Sequence, residues 1–140
     1  MCCECYYLGA ISNGCQTMKT LLLSLALLVT GSAWAEWVMY STTATETLYY
    51  DPATIRKDGN IRRVWQLENW GKRGTGGEIS RRYRTEYDCK QERFRVLAIS
   101  GHSEPMAGGT VLLTVGEDNV WVAIPPDTPG ETTLKIVCAK

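Results

Sequence analysis

The chain has 140 residues, with fifteen basic and fifteen acidic side chains and a formal net charge of zero. This length supports one small domain, and the balanced charge argues against a general nucleic-acid binder. All but one of the basic and all but one of the acidic residues follow Ala35, so the charged surface belongs to residues 36–140. We expect these residues to form one compact domain.

Residues 18–35, MKTLLLSLALLVTGSAWA, have the three parts of a secretory signal peptide. Lys19 precedes an apolar run over residues 21–29, and Ala33 and Ala35 form an A-x-A cleavage pattern. The run is shorter than the ~20 residues that span a bilayer, and a buried core helix is the structural alternative. No cysteine directly follows the run to accept a lipid. The prediction is therefore an exported protein with neither a lipid anchor nor a transmembrane segment in its mature form.

Residues 1–17 hold Cys2, Cys3, Cys5 and Cys15 but no histidine, lysine or arginine. A segment without positive charge makes a poor start for a signal peptide. Four thiolates are enough to bind a metal ion, which is the alternative interpretation. We predict that this segment is an upstream extension, is not structured and is lost with the signal peptide.

From residue 36 onward, the sequence mostly follows a period of two, which is typical of antiparallel strands. Asp58-Gly59 is a strong tight-hairpin signal, and residues 90–92 form a second predicted turn. The pattern predicts a single antiparallel sheet of about five to six strands. The segments with strand character are residues 37–43, 47–51, 60–70, 79–89, 93–100 and 109–115, with a weaker pattern at 119–124.

Alternation along the predicted strands assigns side chains to the two faces of the sheet. In residues 79–89 one face carries Tyr83, Tyr87 and Cys89, and the opposite face carries Arg82, Arg84, Glu86 and Asp88. In the predicted strand over residues 60–70, alternation places Ile61, Trp65 and Leu67 on one face. In the predicted strand over residues 93–100, it places Phe94, Val96 and Ala98 on one face.

The C-terminal residues show helical signals instead of alternation. Thr128 fits the N-cap position and Pro129 the first helical position, and Glu131, three residues after Thr128, completes a capping box. Apolar side chains at positions i, i+3 and i+4 then predict one buried helix face, formed by Leu134, Val137 and Cys138. The predicted fold class is therefore α+β, with this helix packed on one face of the sheet.

Cys89 and Cys138 are the only cysteines after residue 35. In an exported chain such a pair indicates a disulfide, because the compartments outside the cytoplasm are oxidising. Two inert core thiols are the alternative. Both residues fall on predicted buried faces, so the bond would tie the helix to the sheet.

Several segments of the chain resemble the surface-adhesin protein E family of Gram-negative bacteria. These are YYDPATIRKDGN, DCK followed by RFRVL, and IPP followed by KIVC, and the resemblance extends over residues 37–138. The resemblance implies an antiparallel sheet whose C-terminal helix is held by a disulfide. It also implies an exported protein of the periplasm or cell surface that binds host extracellular-matrix or serum proteins.

No constellation of catalytic residues stands out in the domain. His102 lies near Ser100, Ser103 and Glu104 in a segment that we predict to be a solvated loop. Close neighbours in one loop cannot readily present nucleophile, base and orienting acid in line. We predict no catalytic residue, no metal ligand and no cofactor, and hence a protein that is not an enzyme.

An excess of arginine in two neighbouring strands is the feature that suggests a binding surface. It could meet an anionic partner such as an acidic protein patch, an anionic glycan or a lipopolysaccharide phosphate. The alternative is a solvated sheet face whose arginines are offset by Glu86, Asp88 and Glu92. The candidate residues are Arg81, Arg82, Arg84, Arg93 and Arg95.

Two functions remain open from the sequence. The first is an adhesin-like module that binds another protein or an anionic glycan. The second is a periplasmic housekeeping or inhibitor domain without a role in adhesion. In either case we expect a monomer or a weak homodimer.

Overall fold

The computed structural model describes residues 36–116 and 120–139. The predicted upstream extension and signal peptide, residues 1–35, lie outside the described residues. Within these limits a short 3-10 turn at Pro52–Thr54 accompanies eight strands and one α-helix. These elements are β1 (Val38–Thr42), β2 (Glu46–Tyr50), β3 (Arg56–Asp58), β4 (Ile61–Trp70), β5 (Ser80–Asp88), β6 (Arg93–Glu104), β7 (Gly108–Val115), β8 (Val122–Ala123) and α1 (Pro129–Cys138).

The strands form one antiparallel sheet in the order β1-β2-β4-β5-β6-β7. The short strands β3 and β8 pair with the first residues of β4 and β6, respectively. The predicted antiparallel sheet with a C-terminal helix is confirmed, although the strand number is higher than expected. The added strand β3 has three residues, which is too short for an alternating pattern to reveal it. The two-residue β8 lies within the weaker pattern predicted at residues 119–124.

Helix α1 packs on one face of the sheet, which we call the inner face, and the opposite face is the outer face. The core beneath the helix consists of apolar side chains from both layers: Tyr50, Val64, Tyr87, Leu134 and Val137. Burial of such side chains is the main force that holds helix and sheet together.

A buried polar network also links the helix to the sheet. Gln66, which is 2 % exposed, accepts a hydrogen bond from the Tyr87 hydroxyl at 2.9 Å. Its amide nitrogen donates to the Tyr40 hydroxyl at 3.1 Å and lies 3.5 Å from the Thr133 hydroxyl on α1. Burial raises the pKa of Tyr87 and keeps its hydroxyl protonated as a donor.

The predicted start of the helix is confirmed, with one difference. The Thr128 hydroxyl accepts a hydrogen bond from the Glu131 amide at 3.3 Å, as a capping box requires. The Glu131 carboxylate, however, accepts from the amide of Asp127 rather than from that of Thr128. The box therefore closes one residue earlier than the standard pattern.

The predicted disulfide is present: Cys89 and Cys138 are bonded, with their Cα atoms 5.8 Å apart. Cys89 follows β5 directly, and its amide donates to the Asn60 carbonyl at 2.9 Å. The bond thus joins the last residue of α1 to the end of a central strand.

The strand register shows on which face the predicted apolar sets of β4 and β6 lie. Ile61, Trp65 and Leu67 share one face of β4 as expected, but it is the outer face, and the alternate residues of the strand meet the helix. The prediction for Ala98 is wrong. A β-bulge in β6 pairs Val96 with Thr85 but Ala98 with Arg84, so Ala98 moves to the outer face.

A pair of acidic residues on the inner face has a consequence for stability. Burial is the main cause of the raised pKa of Glu68, and the neighbouring Glu46 carboxyl adds to the rise. An acid with a raised pKa in the folded protein binds its proton more tightly when folded, so stability falls as the pH rises through that pKa. We therefore expect Glu68→Gln to raise the free energy of unfolding at pH 7 by roughly 0.2–1 kcal/mol, the size of a cross-strand charge effect.

The gain from Glu68→Gln should fade below about pH 4, where the wild-type carboxyl is itself protonated. Urea unfolding of both proteins at pH 7 and in acid measures the difference. A gain that is as large in acid as at pH 7 would show that the effect does not arise from the charge of Glu68.

Candidate binding face

The strand register brings arginines from four strands together on the outer face. Arg56 of β3 lies opposite Arg63 of β4, Arg63 lies opposite Glu86 of β5, and Glu86 lies opposite Arg95 of β6. These four residues form one row across the sheet. Because strands alternate faces, the residues two positions further along form the next row.

Glu86 is the buried acid at the centre of this row, with 2 % of its surface exposed. Its two carboxylate oxygens accept hydrogen bonds from Arg63, at 2.7 Å, and from Arg95. Burial would raise the pKa of Glu86, but these hydrogen bonds and charges outweigh burial and hold the pKa below 4.5. Glu86 therefore stays ionised and fixes two guanidinium groups on the outer face.

Two tryptophans add aromatic surface beside the arginines. The guanidinium carbon of Arg82 lies 4.1 Å from the ring centre of Trp65. Those of Arg93 and Arg95 lie 4.6 and 4.8 Å from the ring centre of Trp121. Such cation–π contacts orient the arginines without neutralising their charge.

Of the five arginines predicted from the sequence, the structure brings four together. Arg82, Arg84, Arg93 and Arg95 all belong to the outer face. Arg81 alternates to the inner face, where it forms an ion pair with Glu78 at 2.8 Å and stacks on another tryptophan.

Sequence reasoning missed Arg56, Arg63, Trp65 and Trp121 as members of this surface. The Asp58-Gly59 hairpin signal could have revealed the first two, because a tight hairpin at that point pairs Arg56 with Arg63. Trp121 lies in the weaker strand pattern at residues 119–124, but that pattern does not indicate which strand the two-residue β8 pairs with.

A cavity of about 260 Å³ opens where the arginine row meets Trp65. We call it the arginine pocket, and it is lined by Thr54, Arg56, Arg63, Val64, Trp65 and Arg84. Arg56 and Arg84 form no ion pair within residues 36–116 and 120–139. The pocket is therefore a concentration of positive charge with few carboxylates beside it.

The prediction that His102 lies in a solvated loop is wrong. It is a residue of β6 with 8 % of its surface exposed, and its Nε2 lies 2.9 Å from the Ser100 hydroxyl. Burial and the charge of Arg82 lower the pKa of His102, and its Nδ1 has no hydrogen-bond partner among the described residues. A catalytic triad needs an acid at that nitrogen to orient the ring.

Two further properties concern only the described part of the chain. No three His, Cys, Asp or Glu side chains there are grouped so that they could hold a metal ion. No helix there is long and apolar enough to cross a membrane.

The domain is similar to a known protein family and to solved structures. The family model described as surface-adhesin protein E matches residues 37–139. A structure of Haemophilus influenzae protein E superimposes with a TM-score of 0.62 at 16 % identity, covering 77 % of this chain and 89 % of the other. A second structure, of protein E from non-typeable Haemophilus influenzae, gives 0.51 at 13 % identity, covering 78 % and 79 %. No curated protein matches. The chain belongs to the surface-adhesin protein E family.

Proposed function

We propose that residues 36–140 form an exported binding module without enzymatic activity that attaches to an acidic surface of a host extracellular-matrix or serum protein. The predicted signal peptide in residues 18–35 and membership of an adhesin family support this proposal. The partner binds the outer face, where the arginines lie, while α1 packs over the part of the inner face that carries Tyr50, Val64 and Tyr87.

The excess of positive charge on the outer face is the observation that carries the proposal. Among the described residues, the rows that hold these arginines contain three carboxylates, those of Asp58, Glu86 and Asp88. Glu86 and Asp88 are buried beneath their arginine partners. The six arginines of these rows are Arg56, Arg63, Arg82, Arg84, Arg93 and Arg95.

Exposed guanidinium groups on one face of a sheet suit a partner with complementary negative charge. Arg82 and Arg84 are both exposed, so a partner can reach them without any change in the fold. Complementary charge of this kind raises the association rate and selects the partner. The backbone of the sheet keeps the spacing between the arginines fixed, which reduces the entropy lost on binding.

The test is charge reversal at Arg82→Glu with Arg84→Glu, assayed by surface plasmon resonance against a panel of matrix and serum proteins. We expect the affinity for a bound partner to fall by at least about tenfold, since charge-assisted hydrogen bonds contribute roughly 1.5–3 kcal/mol each. Wild-type binding should also weaken as salt is raised, because exposed charges are screened beyond ~8 Å at physiological ionic strength.

The matched control is Lys57→Glu with Lys90→Glu, which makes the same change in net charge at two exposed lysines. Lys57 pairs with Arg62, whose side chain alternates away from the outer face, and Lys90 lies in the turn after β5. The control should bind like the wild type. Equal losses in both double variants would mean that net charge, and not the outer face, governs binding.

A further inference from the structure

We propose that the arginine pocket binds one sulfated sugar unit of an anionic glycan. This inference rests on the proposed role of the outer face as a binding surface, and it adds to the protein partner a separate ligand, a sulfated glycan, for one place on that face. It follows from the charge, the preorganisation, the size and the aromatic wall of the pocket.

Two of the three guanidinium groups in the pocket are held in place by the protein. Arg56 donates from Nη1 to the carbonyl oxygens of Ala53, at 2.9 Å, and Ile55, at 3.2 Å. Arg63 donates from Nε to Glu86, while its Nη2 lies 4.0 Å from Asp58, beyond hydrogen-bond distance. Each guanidinium has five N–H donors, so most of the donors of these two residues are left for a ligand.

The pocket also contains an electrostatic conflict that an anion would relieve. Arg56 and Arg63 are directly opposite each other in the ladder, and like charges in that position destabilise a sheet. Arg84 adds a third charge and contacts no carboxylate within the described residues. Converging cations with few partners favour a group that carries more than one negative charge in a small space.

The size and the wall of the pocket favour a sugar ring over a simple ion. Cavities for drug-sized ligands measure roughly 300–1,000 Å³, so about 260 Å³ suits a somewhat smaller group such as a monosaccharide. Trp65, whose ring is stacked with Arg82, also lines the cavity and supplies apolar ring atoms against which the C–H groups of a pyranose can pack. An aspartate or glutamate side chain of a peptide brings only one charge and no ring.

The neighbouring rows extend the positive surface beyond the pocket. Arg82 lies two residues from Arg84 along β5, a distance of about 6.6–6.8 Å. Arg95 lies at the far side of the Arg63–Glu86 row. A linear glycan with one unit in the pocket could therefore place its adjoining anionic groups near these arginines.

The test is isothermal titration of the purified protein with a heparin-derived hexasaccharide, its desulfated counterpart, a polyglutamate peptide and inorganic sulfate. We expect the sulfated hexasaccharide to bind more tightly than the other three. Arg84→Ala should weaken that binding on the order of tenfold, the loss of one charge-assisted contact. Lys57→Ala, an exposed cation of β3 on the other face, should change the affinity less than twofold.

Three results would overturn the assignment: no binding of the hexasaccharide, equal losses in Arg84→Ala and Lys57→Ala, or tighter binding of polyglutamate. Because Arg84 is exposed, its replacement should leave the fold intact, and circular dichroism of the variant checks this. The protein-binding assay with the Arg82/Arg84 charge reversal is independent of this titration. A failure of the sugar assignment is therefore distinguishable from a failure of the proposed function.

Discussion

Cys138→Ser is expected to lower the free energy of unfolding by about 2–5 kcal/mol and to loosen the C-terminus first. The bond closes a loop of sequence separation 49, for which the chain-entropy model gives a stabilisation of roughly 4 kcal/mol. Helix α1 has only 10 residues, and isolated helices shorter than ~12–15 residues are marginal in water. The helix therefore depends on its tether as well as on its apolar contacts.

Thermal unfolding with and without reductant measures the contribution of the bond in the unchanged sequence. We expect reduction to lower the melting temperature of the wild type and to leave that of Cys138→Ser almost unchanged. Hydrogen exchange should show faster exchange in Pro129–Cys138 of the variant than in the central strands. A melting temperature of the wild type that does not respond to reduction would contradict the stabilising role of the disulfide.

Glu86→Gln is expected to lower the free energy of unfolding at pH 7 by about 1–3 kcal/mol. The carboxylate is buried and paired with two guanidinium groups, which would lose their shared counter-charge. The cost stays below the ~3–5 kcal/mol of a fully buried broken pair because the side chains of Arg63 and Arg95 are 38 % and 27 % exposed.

The pH dependence of this loss follows from the lowered pKa of Glu86. A carboxyl whose pKa is lower in the folded protein stabilises the fold above its unfolded pKa, near 4.5, and this stabilisation is lost as the pH falls through the folded pKa. The difference between wild type and Glu86→Gln should therefore shrink in acid, as measured by urea unfolding between pH 7 and pH 3. A difference that grows in acid would contradict the ion-paired state of Glu86.

The sequence predicted those parts of the fold that depend on local or strictly periodic signals. The cap at Thr128 and the apolar helix face are local, and the alternation of Arg82, Arg84 and Glu86 is strictly periodic, so all were assigned to the correct structure. The disulfide followed from the count of cysteines and from the two predicted faces that carry them.

Features that depend on the exact register of paired strands or on contacts between elements could not be read from the sequence. The bulge in β6 that moves Ala98 to the outer face arises where two long strands must stay in register while the sheet twists. The buried amide of Gln66 looked like any polar strand residue, because its partners come from other strands and from α1. Trp121 joins the binding face beside the two-residue strand β8, and the weak pattern at residues 119–124 does not indicate that this strand pairs with β6.

The tryptophan indole resonances provide the most direct test of the claim that the outer face is the binding surface. Trp65 and Trp121 lie beside the outer-face arginines, whereas Trp70 stacks with Arg81 on the inner side. We expect the ¹⁵N–¹H indole signals of Trp65 and Trp121 to shift when the heparin-derived hexasaccharide or a bound matrix protein is titrated, while the Trp70 signal stays in place. A shift of Trp70 with unchanged Trp65 and Trp121 would contradict the account.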